Sequence, residues 1–328
     1  MLTEKLSRVP IAHLPTPLEL LPRLTAQLGG PELWIKRDDQ TGLATGGNKA
    51  RKLEYLVADA LAQGADTLIT GGAAQSNHAR QTAAAAAKFG LGCTLALRGK
   101  KPAQTQGNLL LSRLLGAEVV WAGKQPLAEA MACVADELQA AGSRPYVVPY
   151  GGSNSIGASG YVAAMEELLA QCTDRNLCFD HVVLASSSGG TQAGLVVGAR
   201  ALHYEGRILG ISVDPKADTL RQQLSDLATD TASHLDLGFT FAPEDLYVND
   251  SYLGGGYGVV SDLEREAIRT LARSEGVLLD PVYTGRAFGG LLHLIRRGAF
   301  QTSERVLFWH TGGTAGLFGY GEEVYRSV

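Results

Sequence analysis

The sequence predicts an α/β protein in which parallel sheets are covered by helices on both faces. Short apolar runs alternate with longer helical patterns along the 328 residues, and this alternation is typical of strand–helix–strand units. Glycine supplies 40 of these residues, and its clusters fall where an apolar run ends and a helical pattern begins. In open α/β sheets ligands bind at such junctions, beyond the carboxyl ends of the strands.

The composition predicts a soluble, reduced, cytoplasmic protein of about two domains. Hydrophobic residues make up 45% of the chain, and the net charge of −4 gives no electrostatic reason to expect nucleic acid or an anionic membrane. No apolar run reaches the ~18 residues of a membrane span, and the first 22 residues lack a signal-peptide core. Neither the four cysteines nor the seven histidines show a metal-binding or disulfide spacing, so no metal is expected.

Each element is placed by its hydrophobic period and its ends. Residues 50–61 carry Leu53, Leu56, Val57 and Leu61 on one helix face. The other predicted helices span 77–88, 105–115, 126–141, 155–171, 192–204, 261–275 and 285–297, with a short helix at the end. Strands are predicted at 33–36, 66–70, 93–97, 118–122, 145–149, 181–185, 207–213 and 305–309. The stretch between 213 and 261 is less regular.

Lys49 follows two glycines and an asparagine at the start of a predicted helix. A helix N-terminus and the neighbouring cations Arg51 and Lys52 both disfavour an ammonium group, so we expect the pKa of the Lys49 amine to be lowered. A neutral amine is what Schiff-base chemistry requires. For this motif taken alone, an exposed lysine at a helix start is the favoured interpretation.

Two polar, glycine-containing loops come directly after predicted strands. Residues 71–80 open a helix with Ser76 or Asn77 as the N-cap, and backbone N–H groups at such a point hold an anion such as a substrate carboxylate, although a plain cap explains the loop as well. Residues 186–191, Ser-Ser-Ser-Gly-Gly-Thr, combine hydroxyls, glycine backbone and a helix start, as phosphate sites do. Walker and GxGxxG motifs are absent, so the phosphate of a molecule smaller than a nucleotide fits this loop.

Three further motifs lie toward the C-terminus. Tyr257 stands within Gly254–Gly258, Tyr283 and Thr284 follow Asp280-Pro281, and Thr311 lies just past the last strand. Singly, each tyrosine is better explained as a core aromatic, but tyrosines beside glycines in loops less often have only a packing role. No G-x-S-x-G elbow of a serine hydrolase is present.

In this order and at these separations, the motifs resemble the D-cysteine desulfhydrase and 1-aminocyclopropane-1-carboxylate (ACC) deaminase group of pyridoxal 5′-phosphate (PLP) enzymes. The resemblance runs from Leu-Pro-Thr-Pro-Leu-Glu at 14–19, through Ile-Lys-Arg-Asp-Asp at 35–39, to His-Thr-Gly-Gly at 310–313, and so covers nearly the whole chain. It implies PLP as cofactor, a homodimer, and PLP fold type II (tryptophan synthase β-like) with two open parallel-sheet domains. The large PLP-binding domain would be residues 1–46 and 162–328, and the small inserted domain, carrying Lys49 and the carboxylate loop, residues 47–161.

The resemblance also implies roles for matching positions. Lys49 matches the lysine that holds PLP as a Schiff base and moves the α-proton, and Asn77 matches the asparagine that contacts the 3′-oxygen of the ring. The substrate carboxylate would bind at Ser76, Asn77 and His78. The remaining matches are the phosphate loop (Ser187, Ser188, Gly189, Gly190, Thr191), the two active-site tyrosines (Tyr257, Tyr283) and the surroundings of the pyridine nitrogen (Thr284, Thr311).

Two positions favour one branch of the family. ACC deaminases are expected to have glutamate and leucine where this chain has Thr284 and Thr311. A carboxylate would keep the pyridine nitrogen protonated and the ring a strong electron sink, whereas a hydroxyl leaves the nitrogen largely neutral. A neutral nitrogen suffices when loss of the α-proton is coupled to departure of a good leaving group from the β-carbon. The resemblance therefore implies an α,β-eliminating carbon–sulfur lyase with D-cysteine as lead substrate, giving pyruvate, ammonia and sulfide.

Other activities remain open. An L-cysteate sulfo-lyase shares the Gln-Ser-Asn-His-Ala-Arg wording of residues 75–80, and its sulfonate would need donors such as His78, Arg286 or Thr314. An ACC deaminase, a β-replacement synthase on the same fold, and a PLP carrier without catalytic activity are further alternatives. A NAD-type oxidoreductase is disfavoured because no dinucleotide fingerprint exists.

Overall fold

The computed structural model describes residues 2–325, and within them the strands form two sheets. The larger sheet contains, in spatial order, β1 (Leu18–Leu20), β2 (Glu32–Arg37), β10 (Arg305–His310), β7 (His181–Ser186), β8 (Arg207–Ser212) and β9 (Tyr247–Asn249). Only β1 of this sheet runs antiparallel to its neighbour. The smaller sheet is wholly parallel, in the order β5 (Glu118–Gly123), β4 (Gly92–Arg98), β3 (Thr67–Gly72) and β6 (Pro145–Val147).

Helices connect and cover these strands. In the first half of the chain they are α1 (Pro22–Leu28), α2 (Lys49–Ala62), α3 (Asn77–Lys88), α4 (Gly107–Leu114), α5 (Leu127–Ala140) and α6 (Ser155–Arg175). In the second half they are α7 (Gly190–Ala201), α8 (Ala217–His234), α9 (Asp262–Glu275), α10 (Thr284–Arg296), α11 (Thr314–Leu317) and α12 (Gly321–Tyr325). Each sheet has its own hydrophobic clusters, because parallel strands need a helical layer on both faces.

The predicted fold class is confirmed: the chain is an α/β protein with two parallel-sheet layers and helices around them. Strands β1 and β9 and helix α1 were not predicted from the sequence, and α8 lies in the stretch that was expected to be irregular. Helix α8 is 18 residues long and buries Leu220, Leu224 and Ala228 along one face. Its many Asp, Thr and Ser residues are weak helix formers, so packing of that face decides its structure.

A buried ion network ties α2 to the larger sheet. The Arg51 guanidinium donates to both carboxylate oxygens of Asp38 and to Glu167 on α6, all at 2.9 Å, and Glu167 also binds Lys36. Burial alone would raise the pKa of Asp38, but the Arg51 contacts outweigh it and hold that pKa at about 2. Breaking such a buried pair from one side typically costs about 3–5 kcal/mol. The network therefore fixes the first turn of α2 relative to the strand ends of the larger sheet.

The strands of the smaller sheet all lie between Thr67 and Val147, whereas α6 runs across residue 161 without a break. Within residues 2–325, none of the helices combines the length and apolar character needed to cross a membrane. The same part of the chain holds no group of three or more side chains placed to bind a metal ion.

Candidate active site

A cleft opens where the carboxyl ends of β3 and β7 face each other. Ten of the thirteen predicted site residues line it, namely Lys49, Ser76, Asn77, His78, Ser187, Ser188, Gly189, Thr191, Tyr283 and Thr311. Gly190 and Thr284 do not line it but adjoin lining residues in the chain, and Tyr257 contacts the lining residue Tyr283. The location follows from the topology, since strand ends and helix N-termini of parallel sheets converge at one edge.

Lys49 is the first residue of α2 and reaches into the cleft. The chain enters this helix through Gly47, whose φ of +125° favours glycine and whose added Cβ would lie 2.6 Å from Gln81. Gly312 packs its backbone against Gly47, and the Asn48 N–H donates to the Thr311 carbonyl at 3.0 Å. The lysine is thus held beside the end of β10.

The Lys49 ammonium group loses its proton more readily than that of an exposed lysine. Burial lowers its pKa from 10.5 to about 8. The pKa of Lys49 is therefore lowered, as expected. Burial is the main cause, rather than the helix dipole or Arg51, because the charge of Arg51 is paired with Asp38 and Glu167. At pH 7 roughly one Lys49 in ten carries a free amine, a far larger share than for an exposed lysine.

Lys52, one helical turn after Lys49, was not predicted as a site residue. Its side chain is 1% exposed, and its Nζ donates to the Gly151 carbonyl at 3.1 Å and to Ser153 Oγ at 3.2 Å. Burial and the adjacent Lys49 hold the pKa of Lys52 well below its usual range. Among residues 2–325 it has no carboxylate partner, which is unusual for a buried lysine and indicates a place for an anion.

The loop after β7 supplies the rest of that anion site. Gly189 has φ +84° and caps α7, a twelve-residue helix whose first N–H group, that of Gly190, donates to Ser153 Oγ at 3.1 Å. A Cβ on Gly190 would lie 2.7 Å from both Lys52 Nζ and Ser153 Oγ, so only glycine leaves this space free. Ser188 Oγ is 2.9 Å from Ser153 Oγ. A helix N-terminus, hydroxyls and one buried cation together fit a phosphate group.

The other members of this loop have partners of their own. The Ser187 hydroxyl donates to Asp214 at 2.7 Å, so it points away from the cradle. Thr191 Oγ1 accepts from Asn48 Nδ2 at 2.9 Å, which links the phosphate loop to the residue before Lys49.

The loop after β3 forms the opposite wall. Ser76 is the N-cap of α3, and its Oγ accepts the Ala79 N–H at 3.1 Å. The His78 ring is buried with Nε2 2.8 Å from Thr70 Oγ1. Because the Thr70 hydroxyl already donates to the Val148 carbonyl, Nε2 of His78 carries the proton. Burial and the two lysines hold the pKa of His78 well below its ordinary value, so the ring is neutral.

The two predicted tyrosines meet. Their hydroxyl oxygens lie 2.6 Å apart, with the rings edge to face, and Tyr283 is the one that lines the cleft. Burial raises the pKa of both phenols, so both are protonated at neutral pH. Arg286, a candidate sulfonate ligand, lies elsewhere: it is buried, pairs with Glu264 at 2.6 Å and donates to Gly256 and Val259 carbonyls around Tyr257. It holds the tyrosine loop instead of facing the cleft.

The two threonines differ in what they can offer. The Thr284 hydroxyl is fully buried and donates to Asp280 at 2.7 Å. The Asp280 carboxylate also accepts the N–H groups of Val282, Tyr283 and Thr284. Thr311 lines the cleft, and its hydroxyl has no hydrogen-bond partner in the described part of the chain. Thr311 is therefore the hydroxyl free to donate to a ligand.

These observations test whether PLP fits. An amine with lowered pKa, a phosphate cradle containing an unpaired buried cation, and a free hydroxyl donor line one cleft, which matches the aldehyde, phosphate and ring nitrogen of PLP. Sequence reasoning missed Lys52, Ser153 and Tyr150, which also lines the cleft. For Lys52, the i, i+3 spacing from Lys49 was the available signal, whereas Tyr150 and Ser153 lie in a turn that only the fold brings to this loop.

Comparisons with known proteins agree. A family model described as pyridoxal-phosphate dependent enzyme matches residues 9–312. The chain is 47% identical over 315 residues to D-cysteine desulfhydrase of Yersinia enterocolitica, covering 94% of each. It is 42% identical over 333 residues to 1-aminocyclopropane-1-carboxylate deaminase of Methylobacterium nodulans, covering 97% of this chain and 98% of the relative. A crystal structure described as an ACC deaminase homologue superposes with a TM-score of 0.90 at 41% identity, covering 98% and 97% of the two chains.

The two sheets and the lysine-bearing cleft define an enzyme of PLP fold type II. More particularly, the chain belongs to the family of pyridoxal-phosphate dependent enzymes, and PLP is its cofactor.

Proposed function

We propose that this enzyme is a carbon–sulfur lyase that converts D-cysteine and water to pyruvate, ammonia and sulfide. The observation that carries the proposal is the ring-nitrogen end of the cleft, where Thr311 offers a hydroxyl and the Asp280 carboxylate is saturated by donors behind Thr284. A hydroxyl leaves the ring nitrogen largely neutral, which favours substrates with a good β-leaving group. The D-cysteine desulfhydrase relative supports the same substrate.

The chain's own groups would divide the work as follows. Bound PLP supplies an electron sink for negative charge at the α-carbon. The neutral Lys49 amine holds the cofactor and takes the α-proton. The N-terminus of α3 at Ser76, Asn77 and His78 binds the substrate carboxylate, since these three residues line the cleft at the start of the helix. Lys52, Ser188 and the glycines of the loop hold the phosphate.

The tyrosine pair would serve the leaving group. Tyr283 lies in the cleft wall as a protonated phenol, and Tyr257 holds its hydroxyl at 2.6 Å from the far side. Tyr283 can donate its proton to the departing thiolate, and Tyr257 keeps the phenol oriented. We assign Ser76 to orientation of the substrate, because its hydroxyl already caps α3.

The sulfo-lyase alternative receives less support. Of the three sulfonate ligands considered, the His78 ring is uncharged, the Arg286 guanidinium is committed to Glu264 and backbone carbonyls, and Thr314 is not among the residues that line the cleft. ACC deamination is the second candidate, and the relative from Methylobacterium nodulans favours it.

The test is product release by the purified PLP-loaded protein given one substrate at a time. With D-cysteine we expect pyruvate and sulfide in equal amounts, and none from Lys49→Ala, which should also lose the visible absorbance of the lysine-bound cofactor. Ammonia from ACC but not from D-cysteine would reverse the order of the two candidates. Pyruvate only after a second nucleophile is added would indicate β-replacement, and cofactor binding with no ammonia from any substrate would indicate a carrier.

The proposal also covers the domain boundaries, the oligomeric state and the cellular location of the enzyme. We propose domains of residues 1–46 and 162–328 and of residues 47–161, a homodimer, and a cytoplasmic location, as the family resemblance implies. Sedimentation of the holoenzyme measures the oligomeric state directly.

A further inference from the structure

Asn77 is tied to a side chain outside the cleft. It is the first residue of α3 and lines the cleft, yet its Oδ1 accepts a hydrogen bond of 2.8 Å from Nδ2 of Asn108 on α4. Asn108 is 1% exposed, so this contact is sheltered from water. The Nδ2 group of Asn77 has no partner among residues 2–325. One end of the Asn77 amide is thus fixed within the protein, and the other end is left for a ligand.

The amide of Asn108 can point only one way. Its Oδ1 accepts from Arg80 Nε at 3.1 Å, and its Nδ2 donates to the Gln75 carbonyl at 3.0 Å as well as to Asn77. A guanidinium has no acceptor and a carbonyl has no donor. Exchanging the oxygen and nitrogen of Asn108 would set N–H against N–H and oxygen against oxygen. The polarity of the Asn77 amide follows from that of Asn108.

Arg80 is itself immobilised. It is fully buried, and its Nη1 donates to the carbonyls of Ala44 at 2.5 Å and Gly46 at 2.9 Å. Those carbonyls belong to the turn before Lys49, where Ala44 and Thr45 adopt positive φ. Arg80, Asn108 and Asn77 therefore form a chain of hydrogen bonds, which we call the amide relay, from the lysine-bearing turn to the cleft wall.

We propose that Asn108 is a positioning residue that sets the direction of the Asn77 amide, so that Asn77 presents an N–H donor to the ring oxygen of PLP. This inference rests on the proposed function, in which PLP occupies the cleft, and on the match of Asn77 to the family asparagine that contacts the 3′-oxygen. A donor at that point stabilises the ionised oxygen, whereas an acceptor would stabilise the protonated one. The relay thereby selects the charge state of the cofactor from a residue that does not touch it.

The substitution Asn108→Asp inverts the relay with almost no change in shape. The new carboxylate still accepts from Arg80, but it has no proton for Asn77. The Asn77 amide should then turn by half a rotation, donating to the carboxylate and presenting its oxygen to the cleft. We expect the absorbance of the lysine-bound cofactor to move from the visible band of the ionised ring oxygen to the near-ultraviolet band of the protonated one. Cofactor affinity should fall about fivefold, the effect of one neutral hydrogen bond.

A double-mutant cycle tests whether Asn108 acts through Asn77. In an Asn77→Ala background, Asn108→Asp should leave the ratio of the two bands unchanged, because the amide that transmits its effect is gone. Asn176→Asp, the same chemical change at the exposed end of α6, serves as the matched control and should not alter the spectrum. Thermal unfolding of each variant checks that the fold is intact.

Two results would overturn the inference: an unchanged spectrum in Asn108→Asp, or an equal spectral shift with and without Asn77. If Asn108→Asp does not fold, Asn108→Gln retains both amide ends and displaces them by one methylene, and an unshifted spectrum there would count equally against the relay. Failure of the proposed function looks different, since the wild-type protein would then release no pyruvate from D-cysteine, whatever the spectra of the Asn108 variants show.

Discussion

The hydroxyl oxygens of Tyr257 and Tyr283 lie 2.6 Å apart, at the edge of the cleft that contains Lys49. Only one proton is shared along this contact, so one phenol donates to the other and a second proton is free to point outward. The loop carrying Tyr257 is glycine-rich and would not hold such a distance unaided. The contact is maintained by Arg286 beneath it.

The tyrosines should therefore differ in their effects. Tyr283→Phe removes the phenol that faces the cleft and should lower kcat by about 10²–10⁴-fold, the usual contribution of a positioned acid, while PLP content stays near that of the wild type. Tyr257→Phe should cost less, since it removes only the partner hydroxyl. Turnover and bound PLP are measured in parallel. Equal losses of turnover and PLP in Tyr283→Phe would indicate a structural role.

Lys52→Met should separate cofactor binding from stability. Loss of a charge-assisted hydrogen bond of about 1.5–3 kcal/mol should weaken PLP binding about 10- to 100-fold. The cofactor-free protein should nevertheless melt at the same or a higher temperature, because a buried amine without a carboxylate partner is replaced by an apolar side chain of similar length. Equilibrium dialysis and thermal melts measure the two effects. Lys88→Met on the exposed end of α3 is the control. A destabilised protein that still binds PLP tightly would show that Lys52 is structural.

Arg286→Lys should loosen the Tyr257 loop. Lysine can keep the charge opposite Glu264 but cannot reach the carbonyls of Val213, Gly256 and Val259 together. We expect a loss of about 1–3 kcal/mol in the free energy of unfolding and a fall in kcat that resembles that of Tyr257→Phe. Arg296→Lys, on the same helix in an exposed pair with Glu266, should change neither quantity. Wild-type turnover in Arg286→Lys would refute the link to Tyr257.

The pKa of Lys49 predicts how cofactor capture depends on pH. Only the neutral amine attacks the PLP aldehyde, and burial lowers the pKa to about 8. The capture rate of the cofactor-free protein should therefore rise with pH, about tenfold per unit well below pH 8, and level off above it. Growth of the visible absorbance between about pH 6 and about pH 9 measures this. N-acetyllysine under the same conditions corrects for titration of PLP itself. A profile still rising above pH 9 would contradict the lowered pKa.

Strong periodicity made the helices and strands around the site predictable from sequence. The strands after which the ligand loops come, β3, β7 and β10, were predicted within one or two residues of their ends, because buried parallel strands read as continuous apolar runs. The residues of the cleft could be predicted to lie together, because the loops that follow parallel strands share one edge of the sheet.

What could not be predicted depends on contacts between distant segments. Packing across the two sheets determines three features of the site. These are the hydrogen bond from Thr284 to Asp280, the position of Thr311 in the lining of the cleft and the burial of Lys52. The family resemblance placed Thr284 and Thr311 together at the ring nitrogen without distinguishing them. Likewise, the sequence suggested Arg286 as a cation that could bind a substrate sulfonate. Its buried contacts with Glu264 and with the carbonyls of Gly256 and Val259 show that it supports the Tyr257 loop.

Within four consecutive positions of the first turn of α2, Lys49 enters the cleft, Arg51 pairs with Asp38 and Glu167, and Lys52 reaches Ser153 beside the loop after β7. One inserted residue would rotate everything after it by about 100° around the helix axis. Lys52 would then face the wrong element, and the ion network would be broken. An insertion or deletion in this turn should therefore abolish both the ion network and the Lys52 contacts. They are far cheaper in the largely exposed connection of residues 99–104, where a lengthened loop could diversify the enzyme without disturbing its chemistry.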